Sequence, residues 1–323
     1  MKKPIAIVAG EPNSISSEII FKSWKSKKKY KHRVFFIIGS LKLMRSQMKK
    51  LKYSIAIKEI KRNFKTKDLS GNKLCVYNVD YNQKKPFDRI SNKSNKYILK
   101  CFDVASKLAI SNKIIGFINC PVSKEFLFKN KHQGITEYLS RKEKIKGDGV
   151  MLIFNSELSV SPITKHISID HVTKKIDKEK ILNNVKVINN FYKKYFFKKP
   201  NFALLSLNPH NFYSSKQSKI KNNINKAIKI LKKRKINING PIPSDSSFSI
   251  FKKYKYNVII GMYHDQVLTP FKALYNYKAI NITLGLPYIR ISPDHGIANN
   301  IIGKKTANPN SLIESIKFFN HIK

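Results

Sequence analysis

Six short apolar runs punctuate the chain: "IAIVAG" (5–10), "VFFIIG" (34–39), "IIGFINC" (114–120), "FALLSL" (202–207), "NVIIGMY" (257–263) and "AINITLG" (279–285). Each is rich in β-branched or aromatic residues and lacks the polar alternation of a half-exposed strand, so each predicts a strand covered on both faces. Between them the spacing changes. Ile98, Cys101, Phe102, Ala105, Leu108 and Ala109 recur at three- and four-residue steps, as do Ile220, Ile224, Ala227, Ile228 and Leu231, which predicts helices over 95–112 and 218–233. Strands covered by intervening helices give an α/β architecture. One interruption stands out: "VMLIFNSELSVSPITKHISI" (150–169) has room for strand, turn and strand but not for a helix. An antiparallel excursion of this kind suits a second lobe or a dimer contact.

A chain of 323 residues exceeds what one hydrophobic core usually organises. We expect a first lobe over 1–125, completed by 297–323 with a C-terminal helix over 311–323. A second lobe over 126–296 is expected to carry the site residues and the dimer contact. The lysine- and asparagine-rich stretch "NQKKPFDRISNKSNK" (82–96) reads as a solvated loop.

Ligand sites in α/β sheets gather at the C-terminal ends of strands. His210 closes "FALLSLNPH", His264 closes "NVIIGMYH", and His166 lies in "ITKHISID" beside the excursion. Imidazoles delivered from separate elements match a divalent-ion site with open positions for substrate, and Asp265 could orient His264 or meet the substrate. Their spacing is not a local metal motif, so ordinary strand-end histidines remain an equal reading. Lys272, Asn281 and Arg290 follow, two cations and an amide suited to a phosphate or carboxylate. Lysine is abundant in this chain and Lys272 could be plain surface, but arginine is scarce and Arg290 sits between an apolar run and the turn-like "SPDHG". "AGEPNSIS" (9–16) is neither a dinucleotide-binding glycine turn nor a Walker loop.

The formal net charge of +45 would by itself suggest nucleic acid or an anionic surface. Only seven of the 64 basic residues are arginine, however, and Lys, Asn and Ile share A/T-rich codons, so base composition is a competing cause. Specific nucleic-acid binding is not expected, though weak nonspecific adhesion is. Cys75, Cys101 and Cys120 are far apart and read as small buried hydrophobes. No apolar run reaches the ~18 residues of a membrane span. The opening "MKKPIAIVAG" is too short for a signal peptide, making the cytoplasm the expected compartment.

Taken together, "LNPH", "GMYHDQ", "INITLGLPYIRIS" and "DHG" resemble the 4-hydroxythreonine-4-phosphate dehydrogenase family of pyridoxal phosphate biosynthesis. "AGEPNSISSE", "NCPVSKE", "GITEYLS" and "NGPIPSDSSF" extend the resemblance along the chain. It implies the fold of the isocitrate and isopropylmalate dehydrogenases: two α/β/α lobes, a cleft between them, and a homodimer with its active sites at the subunit interface. It also implies one divalent cation per site (Zn, Mg or Co) on His166, His210 and His264, drawn from both subunits. Thr136, Lys272, Asn281 and Arg290 match the family's contacts to a small phosphorylated substrate, and Asp294, His295 and Gly296 its NAD or NADP loop. The implied reaction is oxidation of 4-phosphooxy-L-threonine followed by decarboxylation.

The chain departs from the family around substrate and cofactor rather than around the metal. Ile135 stands where a substrate-contacting histidine is expected, Lys165 precedes His166 in place of threonine, and "EPNSIS" loses two glycines. Another four-carbon phosphorylated hydroxy acid, such as erythronate or threonate 4-phosphate, is therefore an alternative substrate. A basic polyanion-binding protein on the same scaffold is the alternative of a different class.

Overall fold

The structure, a computed structural model, describes residues 2–128, 134–145, 149–276 and 278–322. In chain order the strands are β1 (Ile5–Val8), β2 (Phe35–Gly39), β3 (Ile57–Glu59), β4 (Leu74–Asn78), β5 (Gly116–Asn119), β6 (Val150–Phe154), β7 (Ser159–Thr164), β8 (Phe202–Leu205), β9 (Ile238–Ile242), β10 (Val258–Tyr263), β11 (Ile280–Leu284) and β12 (Ile289–Pro293). The helices are α1 (Ser16–Lys25), α2 (Leu41–Lys50), α3 (Asn95–Ile110), α4 (Lys124–Phe128), α5 (Ile135–Lys142), α6 (Ile169–Lys175), α7 (Lys178–Phe196), α8 (Ser218–Lys233), α9 (Ser244–Ile250), α10 (His264–Tyr275) and α11 (Asn310–Phe318). All six apolar runs form strands, and the two periodic stretches form α3 and α8. In α8 the five residues picked out by spacing are its five buried ones.

Two compact units emerge, residues 1–148 with 286–323 and residues 149–285. The expected boundaries at 125 and 296 therefore move. Ile135 and Leu139 of α5 belong to the same buried cluster as Phe102, Phe117 and Tyr288, and β12 pairs with β5, so both segments stay with the first unit. Thr136 and Arg290, expected in the second lobe, lie in the first.

In the first unit the strand order is β3-β4-β2-β1-β5-β12, with every pair parallel. Because β2 lies on one side of β1 and β5 on the other, the loops leaving β1 and β5 diverge at a topological switch point. Gly10 sits there at φ +74°, and a Cβ on it would lie 2.5 Å from the Pro121 carbonyl oxygen, so only glycine fits. The stretch from 82 is not merely solvated: Asn13 Oδ1 accepts from Gln83 Nε2 (2.9 Å) and from the Asp88 amide (2.8 Å). Its last residues open α3. The C-terminal helix α11 also belongs to this unit, where Arg33 Nε donates to the Phe319 carbonyl at 2.7 Å.

In the second unit the order is β11-β6-β7-β10-β8-β9. β6 is antiparallel to both β7 and β11, the expected excursion, while β7, β10, β8 and β9 run parallel. Their shared direction puts the residues after β7, β8 and β10 at one end of the sheet.

Cys75, Cys101 and Cys120 are buried free thiols. Burial pushes Cys101 up to about 12 and raises the other two, which makes all three inert. Among the described residues no helix is long and apolar enough to cross a membrane.

Candidate active site

Neighbouring strands explain the first cluster. β7 pairs with β10, so His166, just past β7, meets His264, the first residue of α10, with ring centroids 5.3 Å apart. Nδ1 of His264 lies 2.8 Å from Asp265 Oδ1. With the carboxylate accepting from Nδ1–H, the Nε2 lone pair is left for another partner. The strand-to-helix junction is held by Gln266, which the sequence reading had not singled out. Its Oε1 accepts from the Met262 amide (2.7 Å) and its Nε2 donates to the Ser206 carbonyl (2.8 Å), tying β10 to the end of β8. A Cβ on Gly261 would come within 2.5 Å of Val267 Cγ1, so glycine lets the helix turn back closely over the strand. Lys165, in place of the family threonine, donates to the Gly149 carbonyl at 2.6 Å.

His210 is placed differently. It lies in the 3₁₀ turn Pro209–Asn211 with φ 50° and ψ 19°, a left-handed conformation that non-glycine residues seldom adopt. The turn is laced by Asn208, whose Nδ2 donates to the Phe212 carbonyl (2.9 Å) and to Gln217 Oε1 (2.7 Å). Among the described residues of one chain no three His, Cys, Asp or Glu side chains converge as a metal-binding group. The geometry thus unites His166 and His264 but does not bring His210 to them.

Lys272 lies on α10 itself rather than in a loop, eight residues from His264, or about 12 Å along the axis at 1.5 Å per residue. Asn281 is in β11, paired with Ile153, and its buried Oδ1 has no hydrogen-bond partner. A buried acceptor without a donor is costly and suits a site that a ligand completes.

In the first unit Arg290 is 3% exposed on β12. Its Nε donates to Asn119 Oδ1 at 2.6 Å, and its Nη1 to Thr136 Oγ1 at 3.4 Å. Burial pushes its pKa down to about 10, which still leaves it charged at neutral pH. Asn119, at the C-terminal end of β5, was missed in the sequence; a polar residue closing the apolar "GFIN" run was the available signal. Lys124, opening α4, was missed too. Loss of water around its amine lowers its pKa, and the Arg290 charge adds to this. Ile135 is 4% exposed and packs in the first unit's buried apolar cluster, so at this position the chain has a core residue.

The "DHG" segment follows β12. The Asp294 amide donates to Ser311 Oγ at 2.8 Å, and His295 Nδ1 lies 3.2 Å from the Gly296 carbonyl oxygen. The buried His295 Nε2 has no hydrogen-bond partner, and burial lowers the ring's pKa. Nearby Glu11, 1% exposed in the β1 loop, receives Ser94 Oγ on both oxygens at 3.3 Å, and burial raises its pKa.

Residues 31–319 match the family model described as pyridoxal phosphate biosynthetic protein PdxA. The chain belongs to the PdxA family. It is 34% identical over 321 residues to the 4-hydroxythreonine-4-phosphate dehydrogenase of Sulfurihydrogenibium sp., covering 97% of this chain and 96% of the relative. It is 27% identical to the putative D-threonate 4-phosphate dehydrogenase of Oceanobacillus iheyensis, covering 98% and 96%. The crystal structure of the Klebsiella pneumoniae 4-hydroxythreonine-4-phosphate dehydrogenase superposes with a TM-score of 0.86 at 25% identity, covering 99% of each chain. Isocitrate dehydrogenase from Methylococcus capsulatus shares the fold alone, with a TM-score of 0.51 at 8% identity over 99% of this chain and 86% of that one. Membership in the PdxA family makes the chain an oxidoreductase of pyridoxine biosynthesis, and the α/β fold of the isocitrate dehydrogenase type expected from the sequence is the one found.

Proposed function

We propose that the chain oxidises 4-phosphooxy-L-threonine to 2-amino-3-oxo-4-phosphooxybutanoate, which loses carbon dioxide to give 3-amino-2-oxopropyl phosphate. The observation that carries the reading is the His166–His264 pair with Asp265 on one imidazole, in a chain of this family. Two adjacent imidazoles, one oriented by a carboxylate, are a donor set suited to a divalent cation (Zn, Mg or Co). His166 and His264 would hold the ion, with His210 supplied by a second copy of the chain in a homodimer. When bound, such an ion withdraws electron density from the substrate's secondary alcohol oxygen, and NAD or NADP supplies the hydride acceptor.

The chain's own residues divide the remaining tasks. Arg290, pinned by Asn119 and Thr136, presents a fixed positive fork to a carboxylate or phosphate. Thr136 and Asn281 add hydrogen bonds, Asn281 through an oxygen that otherwise has no donor. Lys272, from its own chain or from the second copy, takes the phosphate end. His295, with a buried nitrogen to satisfy, supports the reading of Asp294, His295 and Gly296 as the dinucleotide loop. Loss of the hydride to the dinucleotide and of the hydroxyl proton to solvent turns the alcohol carbon into a ketone β to the carboxylate. The C–C bond to that carboxylate then breaks, its electron pair passing into the ketone as carbon dioxide leaves, and a proton taken up at the α-carbon restores the ketone of the product.

The buried Ile135 and the Oceanobacillus relative favour a second reading, in which the substrate is threonate or erythronate 4-phosphate. Reduction of NAD and NADP by purified protein, measured on each substrate with and without Zn²⁺ or Mg²⁺, separates the two. Turnover on 4-phosphooxy-L-threonine that depends on the cation is expected. Turnover confined to another acid would transfer the assignment to it, and none on any would reject the dehydrogenase reading.

A further inference from the structure

The parallel strands β10, β8 and β9 are neighbours, so the segments that enter them gather at one end of the sheet, opposite the histidines. Those segments are "KKYFFKKPN" (193–201), "KKRKIN" (232–237) and "FKKYKYN" (251–257). None contains an acidic residue. The segments leaving the same strands, "SLNPHNFYSSKQ" (206–217), "PSDSS" (243–247) and "HDQVLTP" (264–270), hold a single lysine between them. Codon bias adds lysine without regard to position, and it does not account for cations at one end of three strands and their near absence at the other.

The basic segments form one surface. The Phe202 amide donates to the Asn237 carbonyl (2.9 Å) and the Asn257 amide to the Asn201 carbonyl (2.9 Å). Asn201 Nδ2 donates to the Tyr254 carbonyl (2.9 Å). Two aromatic rings stand out from this surface among the cations. Phe197, itself the left-handed residue that ends α7 (φ 55°), is 66% exposed, and Tyr254 is 51% exposed. Tyr254 is backed by Tyr256, with ring planes 17° apart and centroids 5.7 Å apart, and the Lys253 ammonium lies 5.8 Å from its ring centroid, so ring and cation are presented together. Glu157, from the β6–β7 turn, contributes a carboxylate 3.7 Å from Lys252, with both side chains exposed.

We propose that this end of the second unit is a sequence-independent binding surface for single-stranded nucleic acid. Lysine ammonium groups neutralise phosphates without reading bases, and exposed aromatic faces stack on bases of any identity. The scarcity of arginine, which argues against base readout, fits that mode. An anionic membrane is the competing partner for lysines with aromatics. These three segments, however, expose two separate rings, Phe197 and Tyr254, rather than the continuous apolar face that burial in a lipid surface requires.

The test uses the full chain and a labelled oligouridine of about 16 nucleotides, followed by anisotropy across a salt series. Lys232→Gln, Lys233→Gln and Lys235→Gln together should flatten the slope of log K against log salt by about 2. Lys61→Gln, Lys65→Gln and Lys67→Gln in the first unit should leave it unchanged. Phe197→Ala and Tyr254→Ala should each weaken binding about 10-fold. All are surface changes, and melting curves establish that the variants are folded. Equal flattening by the two lysine sets would reduce the effect to net charge and overturn the proposal. So would full affinity in both aromatic variants, absence of binding at low salt, or displacement of the strand by phosphatidylserine vesicles.

Discussion

Arg290 carries a formal charge at a position that water scarcely reaches, and two neutral oxygens, Asn119 Oδ1 and Thr136 Oγ1, fix its fork. A lysine there would keep the charge but lose the planar geometry. Hydrogen bonds to charged groups contribute about 1.5–3 kcal/mol, so Arg290→Lys is expected to raise KM about 10- to 100-fold, read by steady-state kinetics; an unchanged KM would remove Arg290 from the substrate site. His264→Ala should lower kcat about 100-fold or more and also strip zinc from protein dialysed against trace metal, a readout independent of turnover. Glu11 offers a pH test. Because burial raises its pKa above the ordinary carboxylate value, the folded state holds its proton more tightly than the unfolded chain does. Its contribution is present below the unfolded pKa and is lost as pH rises through the folded one. Glu11→Gln should therefore raise the melting temperature at pH 8 and change it less near pH 4. A variant that melts lower at pH 8 would show that the carboxylate is favourable there.

At the scale of elements, the junction between β10 and α10 decides where His264 points. Gly261→Ala would press a methyl onto Val267 and Gln266, and overpacking of this kind costs about 1–3 kcal/mol. Urea melts should show that loss, accompanied by reduced turnover because the helix start moves. The strands that carry the site were legible in the sequence because they are covered on both faces and read as unbroken apolar runs. Others were not. β3 is three residues long with two charges, β9 contains Gly-Pro, and β12 follows a Gly-Leu-Pro turn that looked like a loop. Missing β12 shifted the boundary and put Arg290 in the wrong unit, since only its pairing with β5 reveals where it belongs. His210 and His264 stand out in the sequence because each closes an apolar run, and His166 because it lies beside the antiparallel excursion. That His166 meets His264, and His210 does not, depends on strand order and on a left-handed turn, neither of which a single sequence states.

For the molecule as a whole, the proposed cation site asks for a third imidazole that one chain, among its described residues, does not bring to His166 and His264. If His210 comes from a partner, mixing His210→Ala with His264→Ala subunits should rebuild one complete set in each mixed dimer. Activity should then recover to about a quarter of wild type after random exchange of a twofold dimer. No recovery would place all three in one subunit or none in the site. The insertion of residues 149–285 between the two parts of the first unit has its own consequence. β12 must lie beside β5, yet the ribosome supplies it about 170 residues later, a delay of roughly 10–30 s at usual elongation rates. Through that interval the nascent chain carries an unzipped β5 border with the second unit already emerging, which makes the period of synthesis its moment of greatest exposure to aggregation and to chaperones.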